Sequence, residues 1–470
     1  MIDSLTSRIC RLALDTSLED IPTDVLSITK ACLLDSIGVG LAGANEEAVT
    51  ILAAVLTELG GNGTTPAIGQ SGKYSIADSA LLNGTAIHAL DFDDMHLASS
   101  MHPSAPVFGA ALAVASHTGA SGRTFLRACA LGLEISTRIG GAVNPPHYSA
   151  GWHATGTLGH FGATIASGLL LKLSRPEFVH ALGIAGTHAA GLKASFGTMA
   201  KPLHAGHAAR NGVMAALLAK RGFTASEEIL TGEKGFGSVM AGGPVKDTAL
   251  EHWGASWSVR DILFKPHASS FCTQALIQCM IDLRNQHHLS PEDVVEIRAR
   301  VSPMALANAV IDNPRTGLEG KFSHTFAAAV GLVHGQATLN DFTNERIQED
   351  QIQRVRSRTR VHASEDLRWP MARVDIEVKD KRTLTVGVDL EERMKTAEQK
   401  SELAQRKFET VTVDTVGMRR MQNIRDSVAC LEAAPSVDVS LYTTGGLLCA
   451  DDTEKSTLSH TSQSPLSGHR

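Results

Sequence analysis

Apolar residues recur at helical spacing through the first half of this chain. After Ile21-Pro22, residues Val25, Ile28, Cys32, Leu33 and Ile37 fall close to a 3.6-residue period, and alanine-rich stretches of the same character run at about 76–90, 105–118, 123–138, 155–171, 176–192 and 204–221. Breaks rich in Gly, Pro, Ser and Asn, such as Gly60-Gly61-Asn62-Gly63 and Asn144-Pro145-Pro146, separate them, which predicts successive helices joined by loops. The character changes near Lys265-Pro266. A helix is predicted at about 273–287, and Val294 to Val301 then alternates like a half-buried strand. Val374, Ile376 and Val378 alternate, Lys379 to Arg382 turn the chain, and Leu384, Val386 and Val388 alternate again, which reads as an antiparallel hairpin. Charged sequence from Glu391 to Lys407 leads into a last helix predicted at about 418–433. From Asp451 the chain is rich in Ser and Thr and poor in apolar anchors, so 451–470 is expected to be a disordered tail.

The fold class is thus mainly α, with a smaller α+β region over about 266–392. At 470 residues the chain is long enough for two domains, and 43% hydrophobic with 20% charged residues is an ordinary globular balance. A net charge of -6 with no long basic block argues against a nucleic-acid partner, and 4% aromatic residues argue against base-stacking platforms. The 42 glycines, with abundant alanine, point to helices packed closely. The 7 cysteines are scattered, form no CxxC pair and so lack the usual ligand spacing for zinc or an iron–sulfur cluster; reduced, buried thiols are expected. The N-terminus has an early Asp3 and no basic run before an apolar core, and apolar runs are interrupted by glycine or charge before reaching membrane-spanning length. A soluble, cytoplasmic protein is expected, with no membrane partner.

Candidate chemistry concentrates in Asp91-Phe92-Asp93-Asp94-Met95-His96, followed by His102-Pro103-Ser104. Charge beside core-like helices is costly unless paired, solvated or used, so the cluster reads as the lining of a cavity. Helix capping or a solvated loop is the plainer reading of Asp91, Asp93 and Asp94. His96 and His102 admit a metal site, but neither the EF-hand spacing nor HExxH is present, and no metal is assigned. Three further segments stand out: Gly151-Trp152-His153-Ala154-Thr155-Gly156; Met199-Ala200-Lys201-Pro202-Leu203-His204-Ala205-Gly206, where a lysine precedes a long helix and can share an anion with its amides; and Lys265-Pro266-His267-Ala268-Ser269-Ser270 at the boundary. Alone, His153 reads as a hydrogen-bonded structural histidine and Lys201 as a surface lysine. Carboxylates, histidines and a lysine suit proton abstraction beside a carboxylate, with loss of water or carbon dioxide.

Together, LDFDD…HPS, GWHATGTLG, MAKPLHAGHAARNG and KPHASSF resemble the MmgE/PrpD family over residues 5 to 435, nearly the whole chain. That family includes 2-methylcitrate dehydratases, cis-aconitate decarboxylases and an iminodisuccinate epimerase. The resemblance implies a large all-helical domain at 1–265, completed by 405–440, and a smaller α+β lid domain at 266–400, with the site between them. It also implies a homodimer working without metal or organic cofactor. Asp91, His102, His153 and Lys201 match the family's catalytic positions, with Lys201 expected to hold a substrate carboxylate and Asp91 to orient an imidazole. Met95, His96, His204, His267 and Gln274 are the expected substrate-binding residues. Met95 stands where many members have threonine, Gln274 where a histidine is usual, and Phe326 near a tyrosine that decarboxylases carry. His267 is a candidate to supply the missing imidazole. The expectation is a hydro-lyase dehydrating a citrate-like tricarboxylate, with Met95 making room for the alkyl tail of an alkylcitrate from secondary metabolism. The alternatives are a cis-aconitate-type decarboxylase, an epimerase or isomerase of a related diacid, and a non-catalytic member that binds a carboxylate ligand.

Overall fold

The alanine- and glycine-rich stretches fold as helices in a computed structural model that describes residues 4–60 and 63–443. The expected disordered tail at 451–470 lies outside the described residues. Ile76–Ala89 starts where Ser75 accepts a hydrogen bond from the Asp78 amide, and Gly122–Val143 where Ser121 accepts from Thr124. These oxygens satisfy amides that a first helical turn leaves unpaired. Ile76–Ala89, Ser104–Thr118, Ala154–Leu170 and Ala200–Lys220 pack against one another, and Ala154–Leu170 is buried along its whole length.

Small residues set how closely these helices cross. A Cβ on Gly206 would lie 2.1 Å from Thr85 Oγ1 and 2.5 Å from the Leu81 carbonyl, and one on Gly84 would lie 2.9 Å from Gly206 Cα. The Ala200–Lys220 helix therefore meets Ile76–Ala89 almost backbone to backbone. That contact brings the start of the first helix to the end of the second. The Thr23–Gly43 helix is long and apolar enough to cross a membrane, with 78% of its most apolar window buried inside the fold, where it packs on Ile76–Ala89 and Ala397–Val416.

Beyond residue 290 the chain forms a four-stranded sheet in the order Thr359–Ala363, Val294–Val301, Met371–Val378, Thr383–Asp389. The first pair is parallel and the others antiparallel, with Val374 opposite Val386 and Ile376 opposite Leu384. Ala372, Val374, Ile376 and Val378 are buried, as their alternation predicts, and Gln274–His287 packs on their strand. His324–His334 packs in turn on Gln274–His287. The molecule is mainly helical with a smaller α+β part.

Three boundaries differ from the sequence pattern. The stretch predicted over 176–192 ends at His188. Ala200–Lys220 begins earlier than 204, so Lys201 lies in its first turn rather than before it; Pro202 is tolerated there because that turn needs no donor. The charged 391–407 segment belongs largely to a helix, Ala397–Val416, opened by a Thr396/Gln399 capping box. Its buried residues Lys400, Ala404, Lys407 and Phe408 fall on one helical face, but two of them are lysines, so polarity hides the period.

Candidate active site

Helix Ile76–Ala89 ends at Leu90, and the chain turns at Asp91 with φ 50, a left-handed conformation that aspartate tolerates better than most residues but that still needs support. The support is cationic. Lys265 Nζ lies 2.6 Å from the Asp91 carbonyl and 2.9 Å from Oδ1, and Lys201 Nζ lies 2.7 Å from the same Oδ1. Burial would raise this carboxyl, but the two ammonium groups hold it well below the usual carboxylate range.

Two imidazoles face this charge. His102 Nδ1 lies 2.6 Å from the Asp94 carbonyl, which can only accept, so Nδ1 carries the proton and Nε2 offers its lone pair 4.0 Å from Asp91 Oδ1. Burial pushes His102 down to about 3 against the pull of Asp93, so the ring is a neutral base. His153 precedes the Ala154–Leu170 helix with Nδ1 3.0 Å from His204 Nδ1, while its buried Nε2 has no hydrogen-bond partner among the described residues. Burial, with His88 and Lys201 nearby, holds its pKa well below the ordinary histidine value. His88 stacks on His153 at 5.6 Å and pairs with Asp93 at 2.8 Å. Asp94 accepts from Ser104 Oγ at 2.5 Å and from its amide, capping the Ser104–Thr118 helix, and burial raises its carboxyl to about 7.

Asp91, His102, His153, Lys201 and Lys265 line one cavity, walled by Met95, Tyr148, Phe196, Phe322 and Trp369. Its space is about 50 Å³, well short of the roughly 300 Å³ at which small-molecule sites begin. A cleft of about 460 Å³ shares Asp91, Lys201 and Phe322 with it and continues past Met199, Leu318, Leu339 and Phe342. The ligand atoms of His88, Asp91, Asp93 and His102 fall within 4.8 Å of one another. A dication there would sit against the two ammonium groups already on Asp91, so the donor set suits protons better than a metal.

Comparison with known proteins decides the family. The profile of the MmgE/PrpD N-terminal domain matches residues 7–248, and that of the MmgE/PrpD C-terminal domain matches residues 267–433. The chain belongs to the MmgE/PrpD family. Its relatives include the cis-aconitate decarboxylase-like protein oryM of Aspergillus oryzae, 28% identical over 95% of this chain and 98% of that protein. The cis-aconitate decarboxylase of Homo sapiens is 26% identical over 78% of each chain. The mitochondrial 2-methylcitrate dehydratase of Yarrowia lipolytica is 24% identical over 71% of this chain and 67% of that protein.

Of the residues that the MmgE/PrpD resemblance singled out, Asp91, Met95, His102, His153 and Lys201 line the one cavity, and His204 stands behind His153. The others do not reach it. His96 bonds Ser99 at 2.8 Å and Ser258 at 3.0 Å through its two ring nitrogens, fixing the loop that carries Met95. Gln274 spends its amide on the His267 amide and on the His267 and Ser269 carbonyls, so it braces a turn instead of meeting a ligand. His267 points to Gln278 at 3.2 Å in a separate cavity and does not replace the missing imidazole. Phe326 packs against Phe342. The expected roles inside the cavity also shift: His102 is oriented by the Asp94 carbonyl rather than by Asp91, and Lys201 already engages Asp91.

Residues the pattern passed over are Lys265, Tyr148, Phe322, Trp369 and His88. Lys265 lay within the KPHASS segment, and its burial was the only missing fact. His88 sits inside an apolar helix, where a lone histidine carries no signal.

Proposed function

We propose that this MmgE/PrpD protein is a cofactor-independent hydro-lyase that dehydrates a citrate-like tricarboxylate bearing an alkyl substituent. The observation that carries the reading is a pair of neutral imidazoles, His102 and His153, whose Nε2 atoms are uncommitted beside the ammonium groups of Lys201 and Lys265. A substrate carboxylate joins the lysine pair. His102 Nε2 takes a proton from the carbon next to that carboxylate, and the charge that develops is stabilised by ammonium groups already in place. When His204 donates to His153 Nδ1, His153 presents Nε2–H to the departing hydroxyl. The C–H and C–O bonds break, a carbon–carbon double bond forms, and water leaves. Proton exchange with solvent resets both rings.

The alkyl substituent is supported by Met95, apolar where a hydroxyl is usual, and by the cleft beyond Phe322, whose walls include Leu318, Leu339 and Phe342. A second reading, decarboxylation of a cis-aconitate-like acid, is favoured by relatives that bear the decarboxylase name across most of this chain. A mass-resolved panel of citrate, 2-methylcitrate, longer alkylcitrates and cis-aconitate separates the two. Loss of water from the citrates supports the first reading, and loss of carbon dioxide from cis-aconitate selects the second. A folded protein that converts none of them refutes both.

A further inference from the structure

Three successive carbonyls at the catalytic turn each accept a hydrogen bond from a different buried lysine. Lys321 Nζ reaches Leu90 O at 2.7 Å, Lys265 Nζ reaches Asp91 O at 2.6 Å, and Lys407 Nζ reaches Phe92 O. The three ammonium groups come from three separate segments beyond residue 260: a loop at Lys265, the end of the short Gly317–Gly320 helix at Lys321, and the Ala397–Val416 helix at Lys407. Leu90 is the C-cap of the Ile76–Ala89 helix, and the Asp91 and Phe92 carbonyls follow it directly past the negative pole of that helix. Asp91, in the left-handed region, puts its own amide on the His88 carbonyl at 3.1 Å, and the carbonyls of Leu90, Asp91 and Phe92 are left to the lysines.

Lys265 and Lys407 each also face a carboxylate, Asp91 and Asp35. For Lys321 the described partner is the Leu90 carbonyl alone. Its own carbonyl accepts from the Ser270 amide and from Ser269 Oγ, and Ser270 lines the catalytic cavity. Lys321 therefore ties the Ser269-Ser270 segment to the turn that carries Asp91, and it lines the adjoining cleft. The neighbouring Phe322 is itself part of the cavity wall.

We infer that Lys321 is a positioning residue that locks the Asp91 turn to the segment of Ser269 and Ser270. Without its ammonium, the Leu90 carbonyl is buried unpaired and the left-handed turn loses its upper anchor. Asp91, and the lysine pair aligned on it, then drift from register. The kinetic part of the test rests on the proposed lyase reaction; the exchange part does not.

The test compares the full chain with Lys321→Met, which keeps the apolar stem and removes the charge. Loss of a hydrogen bond to a charged group predicts a fall in kcat of roughly ten- to hundredfold. KM is expected to stay within about threefold, because the residue acts on alignment and not on uniform binding. Amide exchange in the segment 91–93 is expected to accelerate by about tenfold or more while the core helices keep their protection. Lys321→Arg, with charge and donors retained, is expected to recover most of kcat and the slow exchange. If Lys321→Met does not fold, Lys321→Gln carries the same comparison. A neutral variant with kcat within about twofold and unchanged exchange at 91–93 overturns the inference, as does an arginine variant as impaired as the methionine one. If the wild-type protein converts no tricarboxylate, the function reading fails, and the exchange comparison still decides the role of Lys321.

Discussion

Asp91→Asn should separate ligand binding from turnover. The carboxylate sits 2.7 and 2.9 Å from two buried ammonium groups. At an effective dielectric of about 20 each contact is worth roughly 6 kcal/mol before desolvation. Removing one partner of a buried ion pair costs about 3–5 kcal/mol net, and asparagine, which keeps the shape and one accepting oxygen, should fall at the low end. The unliganded variant is therefore less stable than wild type. Citrate reverses part of this. In wild type its carboxylate shares the lysines with a fixed anion; a like charge about 5 Å away at the same dielectric opposes binding by roughly 3 kcal/mol, about a hundredfold in Kd. The neutral variant should thus bind citrate about 10- to 100-fold more tightly, and its melting temperature should rise more steeply with citrate than that of wild type. Turnover should fall by at least about a hundredfold, because Asp91 no longer holds the lysines in register. Calorimetric titration and a thermal-shift series measure both halves. Citrate binding that is weaker in Asp91→Asn, or equal, would show that the lysine pair is not the carboxylate anchor.

Three further outcomes follow from the same geometry. His102→Gln should leave folding intact and lower kcat about 10²- to 10⁴-fold in a single-turnover assay, the usual range for a general base; near-normal turnover would remove His102 from the mechanism. Stability should decline as pH falls from about 6.5 toward 4. Burial holds His96 and His102 at about 3 and His147, His160 and His267 at about 4, so below 6.5 the unfolded chain binds protons that the native state refuses, at about 1.4 kcal/mol per histidine per pH unit. Asp94, raised to about 7, works the other way and offsets about one histidine; urea titrations flat across that window would contradict the burial of these rings. Gln274→His should not install a catalytic imidazole, because the Gln274 amide is consumed by the turn at 267–270; the expected result is a loss of about 1–3 kcal/mol in chemical denaturation with no gain in rate.

The helices of the first half, such as Ile76–Ala89 and Gly122–Val143, were legible because alanine-rich stretches at helical spacing alternate with breaks rich in Gly, Pro, Ser and Asn. The hairpin at Met371–Val378 and Thr383–Asp389 was legible for the matching reason of period two. What escaped was structure whose apolar face contains charge: Lys400 and Lys407 fill core positions of Ala397–Val416, and their partners lie far off in sequence. The same holds at the site. Asp91 and His102 stood out because polar residues cluster in apolar surroundings, whereas His153 and Lys201 were singled out only by the resemblance to the family. The lysine–carbonyl contacts did not stand out, because a backbone acceptor leaves no trace in residue identity. His96 and Gln274 were expected beside the ligand from the family resemblance, yet Gln274 is saturated by the turn a few residues before it, and His96 by Ser99 and the distant Ser258.

The bond from Lys407 to the Phe92 carbonyl spans 315 residues. Closing a loop of that length costs on the order of 5 kcal/mol of chain entropy before any contact rewards it. During synthesis, then, every side chain of the candidate cavity leaves the ribosome well before the residue that holds Phe92 from behind. The Asp91 turn is expected to be among the last parts of the molecule to become ordered. Products that stop short of Lys407 should carry all the chemical groups and none of the activity, so a truncated chain reports on assembly and not on missing catalysts.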